Sequence, residues 1–219
     1  MNTRAQHGAS RAGTAPFDAV HHRFERLALT YPGAVAVRGG AGMLTYGELD
    51  CQADALAAHL QRRGLLPGQF CALHLPTSCA LVRAMLAVLK AGGAFVLLDP
   101  ALPPARIAAL THFFDPALLL TQGHCPAGTR HGTLVLQCAG DDAGLPCAWP
   151  DEHPVRAHEM ACALPSRQPE LGVGVAMLTH ADLHALCDTP AGPPAPPGTA
   201  ALAVLWGPLT HGAPVTLAS

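Results

Sequence analysis

A chain of 219 residues can hold one sizeable domain or two small lobes. Half of it is hydrophobic, only 13 % is charged and the mean hydropathy is positive, which excludes general disorder and implies a substantial core under a weakly charged surface. A formal net charge of −2 offers no electrostatic footprint for nucleic acid or an anionic membrane.

Residues 1–16 are polar, small and Gly/Ala-rich and read as a flexible tail. Arg4 and Arg11 are followed by no apolar run, which argues against a secretory signal. From Phe17 to Thr30, the positions Phe17, Val20, Phe24, Leu27 and Ala28 follow helical spacing, and the helix should end near Pro32. "AVAVRGG" reads as a short strand running into a glycine turn. "LTYGELDCQADALAAHLQRRG" is the clearest helix of the first half. Thr45 can cap it with Glu48 completing a capping box, Leu49, Ala53, Leu56 and Leu60 form its buried stripe, and Gly64 stops it.

"FCALHL", "SCALVRAMLAVLKAG" and "AFVLLD" then read as strand, helix and strand. Such a unit places its two strands parallel, joined by a right-handed crossover. "PPARIAALTHFF" predicts another helix, with proline tolerated in its first turn, and "ALLLTQ" and "GTLVLQC" predict two more strands. The alternation implies an α/β fold, a mostly parallel sheet with flanking helices. Residues 139–159 have turn residues and little periodicity and read as loop, while "MACAL" is compatible with a further buried strand. The proline density of "TPAGPPAPPGT", 189–199, predicts an extended connector, after which the chain resumes as a short helix or strand, a turn and a last strand.

The most apolar stretch, Phe70 to Leu98, is broken by Pro76, Arg83, Lys90 and a glycine pair, so it is a poor membrane span. The eight cysteines form no CxxC pair, and Cys71, Cys79 and Cys162 sit in apolar segments as small hydrophobes. A reducing, cytoplasmic location is the expectation.

"PELGVGVAMLTHADLHAL" is the stretch with the most chemistry in it. Glycines alternate with small apolar residues before a Thr leads into a helix, which is how a chain begins to cradle a phosphate. Yet the chain's sole lysine is Lys90, far upstream. His180, His184 and Cys187 fall near one helical face, but no carboxylate or cysteine partner stands at matching spacing, so no metal is assigned. His21 and His22 read as surface and core filler, Asp99 as structural, and Asp141 and Asp142 as solvated charge. Ser78 and Ser166 lack the nucleophile elbow of a hydrolase.

Four stretches in order, "HHRFERLALTYPGAVAV", "LTYGELDCQADALAAHLQRRG", "AMLAVLKAGGAFVLLDPALPPARIAAL" and "ALLLTQ", span about Val20 to Gln122. They resemble the adenylation domains of nonribosomal peptide synthetases, within the acyl-adenylate-forming superfamily. The third is similar to that family's Leu-Lys-Ala-Gly motif leading to Asp-Pro. The resemblance implies the N-terminal subdomain of such an enzyme, with ATP and Mg²⁺ as cofactors. It implies chemistry in which ATP and a carboxylic or amino acid give an acyl-adenylate and pyrophosphate.

The family wraps the ATP phosphates with a Ser/Thr/Gly-rich loop ending Pro-Lys-Gly, followed by a Thr-His helix start. Thr179 and His180 fit the end of that motif, and "PSRQPELGVG" stands where the loop should be. Ser166, Gly172, Gly174 and Thr179 are what the resemblance leaves of an ATP-phosphate site. The lysine is absent and Glu170 has the wrong charge. "VLWGPLTHGAPVTLA" resembles the end of the next motif, but Gly198 and Thr199 fall where the family has the Phe-Asp that holds the substrate's amino group. The expectation is a truncated remnant with no catalytic residue of its own and no cofactor held productively, since the family's remaining motifs lie beyond Ser219. The alternatives are a docking module for synthetase modules or a carrier protein, and a ligase completed in trans. Uncovered apolar surface also predicts self-association.

Overall fold

The computed structural model describes residues 17–39, 42–122, 134–137, 149–151, 153–165, 174–188 and 199–217. The predicted tail, most of the loop 139–159 and the connector up to residue 198 lie outside the described residues. Six helices and nine strands are described, in the order α1 (Val20–Thr30), β1 (Val35–Gly39), β2 (Gly42–Thr45), α2 (Tyr46–Arg62), β3 (Phe70–His74), α3 (Cys79–Lys90), β4 (Ala94–Leu97), α4 (Pro104–Phe114), β5 (Leu118–Thr121), β6 (Leu134–Gln137), β7 (Met160–Pro165), β8 (Val175–Thr179), α5 (His180–Asp188), α6 (Thr199–Thr210) and β9 (Val215–Thr216).

The larger sheet has the order β6-β5-β3-β4-β7-β8 and is parallel except for the antiparallel pair β7–β8. The predicted strand–helix–strand unit is there, with Cys71 beside Phe95 and Leu73 beside Leu97. Alternation along these strands serves two cores. Cys71, Leu73, Phe95, Leu118 and Leu120 face the side covered by α3, whereas Ala72, Val96, Leu98 and Leu119 face Ile107, Leu110 and Phe114 of α4. Strands buried on both faces are continuous apolar runs, and each fully buried Leu or Phe contributes about 1.5–3 kcal/mol.

Local chemistry sets the helix ends. The Thr45 hydroxyl accepts from the Glu48 amide while the Glu48 carboxylate accepts from the Thr45 amide, the predicted reciprocal cap of α2. Ser78 caps α3 by accepting from Leu81. At the far end of α3, Gly92 takes φ +80°, and a Cβ on Gly93 would sit 3.1–3.3 Å from Leu65, Gln69 and Val88. The Ala-Gly-Gly turn therefore needs both glycines, one for its backbone and one for space.

Three elements differ from the sequence reading, and a fourth is settled by the fold. The first helix begins at Val20, leaving Phe17 outside it to pack against the His184 ring. The glycine turn after β1 opens into a second strand, β2, forming a hairpin to which β9 adds in parallel. "VAMLT", to which the sequence reading gives no element, is strand β8, because pairing with β7 outweighs its glycine-flanked, low-contrast pattern. The segment after the connector, left open between helix and strand, is a twelve-residue helix, α6, carrying Pro208 in its last turn, and the expected last strand follows as β9. No helix among the described residues is long and apolar enough to cross a membrane.

Candidate functional site

In a parallel α/β sheet, ligands bind outside the carboxyl ends of the strands. Here that edge is formed by the ends of β3, β4, β5 and β7, at His74, Leu97, Thr121 and Pro165. His74 is half-buried with Nδ1 3.3 Å from the Thr121 hydroxyl. Burial holds its imidazole below the ordinary pKa, against the pull of the Asp99 carboxylate. Asp99 itself turns the chain by accepting from the Ala101 amide at 2.9 Å, the structural task expected of it.

The hairpin β7–β8 brings the candidate loop to this edge. Pro165 pairs with Val175, so residues 166–174 connect the strands at the carboxyl end. Gly174 stands immediately before β8, whereas Ser166 and Gly172 lie outside the described residues. Thr179 is placed differently. It pairs with Met160, the first residue of β7, and so sits at the opposite edge of the sheet from Gly174. A five-residue strand separates the two by about 17 Å. Of the residues that the sequence groups around one phosphate, the two described, Gly174 and Thr179, are therefore a strand apart.

Thr179 has a full set of partners where it is. Its hydroxyl donates to Asp182 Oδ2 at 2.7 Å and accepts from the Asp182 amide at 3.2 Å, and its own amide donates to Asp182 Oδ2 at 2.9 Å. The amides of His180 and Ala181 donate to the carbonyls of Glu159 and Ala157, each at 2.9 Å. A helix start attracts anions because its first amides lack partners. At the start of α5 all of them are taken, and an acidic side chain already complements the dipole.

The lysine is equally committed. Lys90 closes α3, which runs against the strands, so it lies at the amino edge of the sheet, away from the loop. Its side chain is 1 % exposed, and Nζ stands 3.1 Å from Glu25, 2.7 Å from Asp50 and 2.5 Å from Asp54. Burial opposes the charge, but the three carboxylates outweigh it and hold the ammonium above its ordinary pKa. Glu25, Asp50 and Asp54 are also the one group of described residues with donor atoms close enough for a metal ion, and the ammonium occupies their centre. His180, His184 and Cys187 do not converge in this way. His180 is buried, His184 leans on Asp188 at 3.3 Å, and burial pushes the Cys187 thiol up to about 11.

A family model described as AMP-binding enzyme matches residues 24–171. The chain belongs to the AMP-binding enzyme family. Among its relatives is nonribosomal peptide synthetase atnA of Emericella nidulans, 43 % identical over 124 residues that cover 55 % of this chain and 2 % of that protein. Its fold matches the N-terminal subdomain of Klebsiella oxytoca NpsA with a TM-score of 0.78 at 21 % identity, covering 91 % of this chain and 55 % of that one. An artificial NpsA-ThdA fusion of adenylation and PCP domains matches with a TM-score of 0.80 at 22 % identity, covering 94 % and 40 %. This AMP-binding chain thus spans a small share of the synthetase and about half of the solved subdomain. The resemblance to peptide-synthetase adenylation domains is shown, as is the α/β fold expected from it.

Proposed function

We propose that the chain is part of the N-terminal subdomain of a cytoplasmic peptide-synthetase adenylation domain whose ATP loop has lost its competence. In an intact relative the carboxylate oxygen of the substrate acid attacks the α-phosphorus of ATP. Pyrophosphate leaves, and the acyl-adenylate is passed to a carrier-protein thiol. Holding a triphosphate for that step takes fixed positive charge, a close amide cradle and, in the family, Mg²⁺.

One observation carries the reading. The loop at the carboxyl edge holds no lysine, and the chain's only lysine is locked among three carboxylates at the other edge. The described part of the site supplies Gly174 but no cation and no unpaired helix amide. Arg167, beside Ser166, is the one cationic side chain between 166 and 174, and it faces a sequence that also carries Glu170. Any residual phosphate affinity of this loop rests on that guanidinium together with Ser166, Gly172 and Gly174; Thr179 contributes through the cap of α5 rather than by touching phosphate. A docking role toward synthetase modules or a carrier protein is supported by the well-formed first half and by Phe113 and Val204, exposed at 64 % and 70 %.

The test is calorimetric titration with ATP·Mg²⁺ alongside pyrophosphate exchange over a panel of amino acids. Both are run on the 219-residue chain with and without a polypeptide carrying the family's later motifs. Exchange at background in every combination, with at most millimolar ATP binding that Arg167→Ala removes, is expected. Tight magnesium-dependent binding with exchange above background would overturn the proposal.

A further inference from the structure

Two histidines are buried where α5 leaves β8 and meets α1. His21 and His180 are each 3 % exposed, their rings lie 5.7 Å apart at 64°, and the His22 ring stands 4.3 Å from that of His21. Nδ1 of His21 and Nδ1 of His180 have no hydrogen-bond partner. The His180 amide donates to the Glu159 carbonyl at 2.9 Å, which fixes the start of α5 beside the buried ring. The charged and titratable groups facing the pair are His22 on α1, Lys90 on α3 and Glu159 ahead of β7.

We propose that the His21–His180 contact is a proton-released latch, which seals α5 against α1 while both rings are neutral and frees α5 in mild acid. A charged imidazole in this contact would be desolvated, would face a second ring and would lie near the Lys90 ammonium. Solvent offers the opened state a far better place for the proton. Burial, reinforced by His22, His180 and Lys90, holds His21 well below its usual pKa, and burial brings His180 down to about 4 despite Glu159. Both shifts are depressions, so the opened state binds the protons more tightly. The latch is intact above the unfolded value of about 6.5 and is lost as the pH falls from there toward 4. Each histidine weakens docking up to about tenfold per pH unit in that window. Because α5 follows β8 directly, its release loosens the hairpin that carries loop 166–174, whether or not that loop holds nucleotide.

Urea unfolding of the chain between pH 6.5 and 5.0 tests this, in a range where most carboxylates stay ionised. The wild-type folding constant should fall about a hundredfold, and His21→Gln or His180→Gln should each remove about a tenfold share. Comparison with wild type cancels the contribution of His74, the other histidine held low by burial. Imidazole nitrogen NMR of the wild type keeps the test decisive if a variant fails to fold, with both rings expected neutral at pH 5.5. Exchange protection, corrected for intrinsic rates, should drop earlier in 175–188 than in 70–74. Equal pH slopes in wild type and variants, rings already charged at pH 5.5, or a uniform loss of protection would each overturn the latch.

Discussion

One turn of α1 separates two buried polar clusters that meet desolvation in opposite ways. At Glu25 a full charge is kept, because the Lys90 ammonium is shared with Asp50 and Asp54. At His21 the charge is given up, and a neutral ring packs against another neutral ring. The first cluster depends on its cation being present, the second on its protons being absent. Both hold α1 to the helices behind the sheet, and their difference is open to measurement because one is broken by losing a cation and the other by gaining protons.

The largest effect is expected from Lys90→Met, which leaves the buried carboxylates of Asp50 and Asp54 and the half-buried one of Glu25 without their cation and should cost about 3–5 kcal/mol at pH 7 in urea unfolding. Lys90→Arg, which keeps a cation there, should lose less, and an equal loss would mean the cluster is not held by charge. Tyr46→Phe supplies a reference that ignores pH. The Tyr46 hydroxyl donates to the carbonyls of Leu209 and Ala213 at 3.0 and 3.3 Å, and burial raises its pKa to about 12. Its removal should cost about 1–2 kcal/mol equally at pH 5 and pH 7. The smallest effects belong to the caps, where Thr45→Ala and Thr179→Ala should each cost about 1 kcal/mol in thermal unfolding. Only the loss in Thr179→Ala should show first in the exchange protection of α5, because the cap it removes opens that helix beside His180.

The parts of this architecture readable in the sequence are those written within one turn or one strand. Thr45 and Glu48 announce the start of α2, and the Leu-Lys-Ala-Gly run announces the end of α3, because capping and glycine geometry act over a few residues. Strand β8 was hidden, since its partner is found only by folding back onto β7 across the loop. The same blindness hides the distance from Gly174 to Thr179, which are close in sequence yet a whole strand apart. The setting of Lys90 left a trace that periodicity could have caught. Asp50 and Asp54 are four residues apart on the buried face of α2, where two carboxylates require a cation. The contact of His21 with His180 left no such trace, because nothing local connects them.

The order in which the large sheet is strung also governs how the molecule comes together. Strands β3 and β4 meet through a single helix, but the chain then visits β5 and β6 before β7 crosses back to lay Cys162 beside Phe95. Joining such distant positions costs loop entropy that only an already formed β3–α3–β4 unit can offset. During synthesis, the unit bearing the glycine turn can be assembled before residue 160 has been made, and the hairpin is seated on it afterwards. The corner that supports loop 166–174 is thus younger than the unit it rests on, and damage there should leave the older unit standing.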